Sequence, residues 1–348
     1  MNKSELREDS EGSLAARLLG FMEADTTERQ EQKERLAAEL QNANPGQPVI
    51  RLIAEALAGA PSGPWGEYGR AAALYDAVLA ADLLELAYAT LASGEAADLE
   101  RYVLPASRLI HLEKKERDKT DDERYVQYRA AVLVDSLLAL NVSFSEEAAE
   151  LLRYEYYVSG IPAEELNAQI WWRLAERGID ISGHIRTLHA YLNNQDTDTL
   201  AANSLLALWA AVRRGFFDSP ILGSKNTQEG ETSQGSMNTY QVWLWGLVTK
   251  CVGKLRRKGN EELRLGAAGC LLELSNRYPQ TQRLILECME NWGVKEPKRL
   301  STDVQRDIAE LYARCRNHPG TTCLPANYII TKKGIQQIAV SKTIQTSS

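Results

Sequence analysis

Residues 260–292 read NEELRLGAAGCLLELSNRYPQTQRLILECMENW, and their periodicity decides the fold. Leu263, Ala267, Leu271, Leu274 and Tyr278 recur in steps of four or three. That spacing keeps one face of a 3.6-residue helix apolar. Tyr278-Pro279 then interrupts the pattern. A residue before proline is pushed out of the helical region, and proline has no N–H to donate. A second apolar stripe follows at Leu284, Cys288 and Trp292, flanked by Ile285 and Met289. The link is short, so the two helices are expected to lie antiparallel. One such pair cannot bury its own apolar faces and needs neighbours stacked on it.

The central string returns elsewhere. Residues 267–274 read AAGCLLEL, 201–208 read AANSLLAL and 133–140 read LVDSLLAL. Their starts lie 66 and 68 residues apart. Single helical repeats run about 33 to 47 residues, so these spacings predict two helix pairs per step. In architecture the chain resembles the HEAT-like or tetratricopeptide-like α-solenoids over about residues 120–317, though the tetratricopeptide Trp-Leu-Gly-Tyr pattern is absent. The resemblance implies a scaffold that holds other molecules. The expected fold is an all-α right-handed α-solenoid of antiparallel helical hairpins, with a strand-like tail.

Three regions are expected along the chain. Residues 1–113 form an acidic helical region, 120–317 the solenoid, and 318–348 an extended or β-hairpin tail. Asp25-Thr26-Thr27-Glu28 should open a helix reaching about Gln41. APSGPWG at 60–66 breaks the pattern, and helices are expected at 67–92 and 95–113. The charge run EKKERDKTDDER at 113–124 reads as a solvated helix end or hinge. Within it, Thr120-Asp121-Asp122-Glu123 is a capping box for a helix over 121–140. Ser143-Phe144-Ser145-Glu146 gives another, for a helix to about Val158. Ile161-Pro162 should start a further helix that Arg177-Gly178 ends. Residues 218–237, DSPILGSKNTQEGETSQGSM, are polar and glycine-rich, which predicts an inserted loop that a protease cuts first within 222–237. Tyr328–Thr331, then Lys332-Lys333-Gly334, then Ile335–Val340 reads as a small hairpin.

Composition narrows the class. The 348 residues are 44% hydrophobic and 25% charged, an ordinary globular balance. No apolar run reaches the 18 or so residues that span a bilayer, so no membrane partner is expected. The opening MNKSELREDSEGS is charged and lacks a signal peptide's apolar core, which points to the cytoplasm. The odd count of five cysteines fits free thiols in a reducing compartment. Charge is polarised. Residues 1–150 carry a net −12 and residues 201–348 a net +8, within a chain of −7. Such polarity suits different partners at the two ends.

The sequence offers little chemistry. Gly253-Lys254 lacks the surrounding residues of a phosphate loop, and the zinc-protease, hydrolase-elbow and dinucleotide motifs are absent. No enzyme activity and no cofactor are therefore expected. The metal candidates are Cys315, His318 and Cys323, which make one close Cys-x-x-His pair and a third thiol. A structural zinc site needs two such pairs, so no metal is assigned. His184 and His189 are five apart, off the spacing that puts two ligands on one helix face.

Two groups of residues are candidates for binding partners. Trp171-Trp172 and Trp243-x-Trp245 cannot each keep both rings in one narrow core stripe; the favoured reading is large rings in a wide core, and the alternative turns one of each pair to a groove or a partner. The segment Lys250–Lys258 closes a helix with Arg256, Arg257 and Lys258. Cations there suit the helix dipole. They also suit phosphate, with Arg213, Arg214, Lys295, Lys298 and Arg299 as extensions if helix ends line up. The expected function is a non-enzymatic scaffold or adaptor for protein partners. The alternatives are nucleic-acid binding through the basic C-terminal half and, less favoured, an enzyme of unknown class. A pI near 5.4 weighs against nucleic acid.

Overall fold

A computed structural model describes residues 14–43, 47–58, 77–92, 94–111, 119–153, 161–193, 198–218, 239–257, 259–317, 328–331 and 334–337. The described chain is all-α. Its helices are α1 (14–23), α2 (Thr26–Ala43), α3 (Gln47–Ala58), α4 (Ala77–Ala89), α5 (Ala96–Leu99) and α6 (Val103–Ile110). Then come α7 (Asp121–Ala139), α8 (Glu146–Leu152), α9 (Ile161–Glu176), α10 (Ile185–Tyr191) and α11 (Asp198–Arg214). The last are α12 (Thr239–Leu255), α13 (Glu261–Arg277), α14 (Gln282–Asn291) and α15 (Asp303–Arg316). Beyond them, β1 (Tyr328–Thr331) and β2 (Gly334–Gln337) pair antiparallel.

Local chemistry sets the helix ends. Asp25 Oδ1 accepts from the N–H groups of Thr27 and Glu28 at the start of α2. Thr120 and Glu123 form the reciprocal capping box at α7, with bonds of 3.2 and 2.8 Å. Ser145 caps α8 by accepting from the Ala148 N–H. Asn260 and Thr302 do the same for α13 and α15. α9 ends in a Schellman motif: Ile179 N–H reaches Leu174 O, and Gly178 takes φ +81°. Asn141 plays the glycine's role after α7, at φ 59°, with Val142 N–H bonded to Leu137 O. Tyr278 sits outside the helical region at φ −125°, ψ 75°, so the Tyr-Pro step stops α13 as expected.

The chain forms two compact units, residues 1–173 and 174–348. The junction falls inside α9, and the charge run 113–124 joins two helices of the first unit. Residues 113–118 of that run lie outside the described residues, as do 59–76 and 219–238, which cover the break at 60–66 and nearly all of the expected loop.

In the first unit, α2, α4 and α7 pack side by side, and α3, α6 and α8 form a second row. α3 crosses to α4 and α6 to α7. α3 shows how such rows form: Val49, Ile50, Ile53, Ala54 and Leu57 make one buried stripe. α4 lies between neighbours and buries almost its whole circumference, including Asp82. That carboxylate is held by Lys33 Nζ of α2 at 3.0 Å. Glu85 joins the same lysine at 3.3 Å and accepts from the Tyr125 hydroxyl of α7 at 2.9 Å. One polar network thus ties α2, α4 and α7. The Asp82 and Glu85 charges raise the Lys33 ammonium against the opposing pull of burial.

The second unit follows the same plan. α11, α13 and α15 form one row and α12 and α14 the other, with α10 on α11, α12 on α13 and α14 on α15. The stripe Leu263, Ala267, Leu271, Leu274 and Tyr278 is buried, and so are Gly266, Ala268, Gly269 and Cys270. α13 is therefore central rather than simply amphipathic. Its glycines let α11 approach: a Cβ at Gly269 would lie 2.7 to 2.9 Å from three atoms of the Trp209 ring.

The repeated strings fall on α7, α11 and α13, helices of the same kind of row. Their first and fifth positions, Leu133 and Leu137, Ala201 and Leu205, Ala267 and Leu271, are all buried. From 133 to 201 the described residues hold four helices, α8 to α11. From 201 to 267 they hold α12 and α13, and the segment 219–238 lies outside the described residues.

Candidate functional site

The basic end of α12 is where the structure gathers chemistry. α12 stops at Leu255, and Gly259 at φ +97° turns the chain into α13. α14 stops at Asn291, and Gly293 at φ +71° turns it toward Lys295. These two turns open a cavity of about 520 Å³. Arg256, Arg257, Arg264, Trp292 and Lys295 line it, with Leu255, Val294 and Ile308 as its apolar floor.

Two of its four cations are held in place. Arg257 pairs with Asp198 at the start of α11. Arg264 Nε donates to Leu255 O at 3.2 Å, and its Nη1 lies 3.4 Å from Glu261. It thereby satisfies one of the carbonyls that the end of α12 leaves open. Arg256 and Lys295 are exposed and have no carboxylate partner among the described residues. The positive charge is felt nearby: burial and then Arg257 push the Lys254 ammonium below its usual range.

The sequence candidates separate as follows. Arg256 and Arg257 line the cavity, while Lys258 lies outside the described residues. Lys295 joins them, as expected if helix ends align. Arg213 and Arg214 do not: both bind Glu176, and Arg213 lies 5.9 Å over the Trp209 ring. Lys298 and Arg299 are exposed but do not line the cavity. Arg264 and Trp292 were missed as site residues. Each sits in an otherwise ordinary stretch, and only the packing of α13 beside α12 and α14 brings them to the basic turn.

Of the tryptophans, Trp171 is completely buried in the first unit's core. Trp172 is half-buried, and its ring lies under the Arg173 guanidinium at 5.1 Å. Arg173 in turn bonds Asp135 of α7 at 2.5 Å. Trp245 is buried in the second unit at 4% exposure, and the Trp243 side chain lies outside what is described. Trp171 and Trp245 are thus core residues and present nothing to a partner.

Cys315 is buried on α15, and burial pushes its thiol up to about 11. His318 and Cys323 lie outside the described residues. Among the described residues no three His, Cys, Asp or Glu side chains gather as a metal site would require. His184 and His189 are both held down to about 4, chiefly by burial. Lys250 Nζ lies 2.8 Å from His189 Nδ1 and donates to His189 O at 2.5 Å. Burial lowers that ammonium to about 8. The pair locks α12 to α10, where Gly246 leaves no room for a Cβ against the imidazole.

The first unit holds an apolar-walled cavity of about 560 Å³ between α3, the start of α6 and the α7–α8 turn. Arg51, Glu55, Arg101 and Phe144 lie on its rim. No described helix is long and apolar enough to cross a membrane. No protein-family model matches the chain, and no curated protein is significantly similar to it.

Proposed function

We propose that the protein is a non-enzymatic scaffold of the cytoplasm that binds protein partners on a helical-repeat surface. In this reading the paired rows belong to a right-handed α-solenoid of antiparallel hairpins with a short strand-like tail. The observation that supports it is the packing plan shared by both units. Within each row a helix touches the next member of that row, which is how repeat proteins stack units that cannot bury their faces alone. Stacking of that kind repeats the same helix faces along each row, and repeat proteins use such faces for extended binding. The test is affinity purification of the tagged protein from its native host, with and without nuclease. Partners recovered in fixed proportion after nuclease support the scaffold, and recovery that collapses on nuclease opposes it.

A second reading has its own observation. Arg256, Arg257, Arg264 and Lys295 converge on one cavity, so the basic C-terminal half offers a focus for nucleic-acid phosphates. Binding to DNA or RNA should then weaken steeply with salt. An affinity that stays flat between about 50 and about 200 mM salt opposes this reading.

A further inference from the structure

We propose that the cavity at the ends of α12 and α14 is a binding site for a compact organic phosphate of nucleoside-diphosphate size. The inference uses the basic cavity of the nucleic-acid reading but gives it a different occupant. Three observations carry it.

The first is shape. The cavity measures about 520 Å³, within the roughly 300 to 1,000 Å³ of small-molecule sites. A duplex is read by a stripe of cations along an open surface, whereas these four cations share one concavity.

The second is the division of labour among the cations. Arg257 and Arg264 are oriented in advance, by Asp198 and by Leu255 O with Glu261. Their carboxylate partners offset their charges. Arg256 and Lys295 remain without a carboxylate among the described residues, so the cavity keeps an excess of positive charge. Guanidinium groups match phosphate oxygens two at a time, and lysine adds a mobile point charge.

The third is the mixed lining. Leu255, Val294, Ile308 and Trp292 sit beside the cations. Inorganic anions have no use for such a wall, but the organic part of a phosphate ester does. The helix dipole argues the other way, since both α12 and α14 present C-terminal ends. That effect is small and screened at an exposed site. Arg264 already caps one of the carbonyls involved.

The test is titration calorimetry of the full chain with adenosine 5′-diphosphate, inorganic pyrophosphate and phosphate-free adenosine. Arg256→Ala/Lys295→Ala is the test variant. Lys298→Ala/Arg299→Ala, which removes two exposed cations outside the lining, is the control. The expected result is saturable binding of the diphosphate and none of adenosine. The test variant should weaken it at least about tenfold and the control less than about twofold, differences well separated on the affinity scale. No saturable binding of the diphosphate would overturn the proposal, as would equal losses in both variants. A DNA duplex that binds more tightly than the diphosphate and is weakened by the same two substitutions would also overturn it, because the occupant would then be nucleic-acid backbone.

Discussion

Adding one methyl group to α13 tests how closely α11 and α13 pack. At Gly269 a new Cβ would meet three atoms of the Trp209 indole at 2.7 to 2.9 Å. All three belong to the outer six-membered ring, which cannot bend aside as a flexible chain end would. Three residues earlier, at Gly266, the new Cβ would find Leu205 Cβ at 3.7 Å, an ordinary contact. Both positions are buried on one helix, so helix propensity is the same for each. Glycine to alanine in a helix gains about 1 kcal/mol. Overpacking a tight site costs about 1–3 kcal/mol. Gly266→Ala should therefore stabilise by about 1 kcal/mol, and Gly269→Ala should range from neutral to about 2 kcal/mol destabilising. The two variants should differ by about 1–3 kcal/mol. Urea unfolding followed by circular dichroism measures this. The decisive form is a double-mutant cycle with Trp209→Leu, which removes the ring. The cost of Gly269→Ala should shrink in that background, with a coupling of about 1 kcal/mol or more. Equal stability of Gly266→Ala and Gly269→Ala, with no coupling to Trp209, would refute the close approach of the two helices.

Three further outcomes follow from the same structure. Acid should destabilise the protein through His184 and His189, both held at about 4 when folded. The unfolded chain takes up these protons as pH falls through about 6.5 and the folded chain does not, so stability is lost between about pH 6.5 and 4 and levels off below. Urea midpoints for His189→Gln should depend less on pH in that window than the wild type, and identical slopes would count against the assignment. Cys251, Cys270, Cys288 and Cys315 are buried, and Cys270 and Cys251 hold each other by a thiol hydrogen bond. A thiol reagent should therefore find these four only on unfolding, and rapid reaction of more than one cysteine in native protein would contradict their burial. Thr120→Ala should cost about 1 kcal/mol by removing the α7 capping box, read as a lower urea midpoint, whereas an unchanged midpoint would mean the cap contributes nothing.

The sequence and the structure agree where the signal is local. The capping box at Thr120, the Gly178 stop and the Tyr278-Pro279 break each act through atoms a few residues apart, so they read correctly from the chain alone, whereas the box expected from Ser143 is replaced by a simple cap at Ser145. The stripe of α13 was legible too, but its centrality was not. Gly266 and Gly269 look like weak points in a helix until Leu205 and Trp209 of α11 are seen against them. The spacing of the repeated strings counts residues, not helices: the described residues hold four helices in one step and two in the other, with 219–238 outside them. The basic end of α12 was visible as a charge cluster. Its completion by Arg264, Trp292 and Lys295 was not, because those residues arrive from two other helix ends that only packing brings together. The tryptophan argument identified rings that cannot share a stripe but not which ring turns inward. Trp171 and Trp245 proved to be core because each unit is two rows thick and buries more than one stripe per helix.

The central claim is that this chain holds a protein partner. Its most direct test is native mass spectrometry of the tagged protein recovered from its host after nuclease treatment. The account predicts a complex of fixed stoichiometry between this chain and a second polypeptide. Recovery of the chain alone, or of a complex that loses its second component to nuclease, would contradict it.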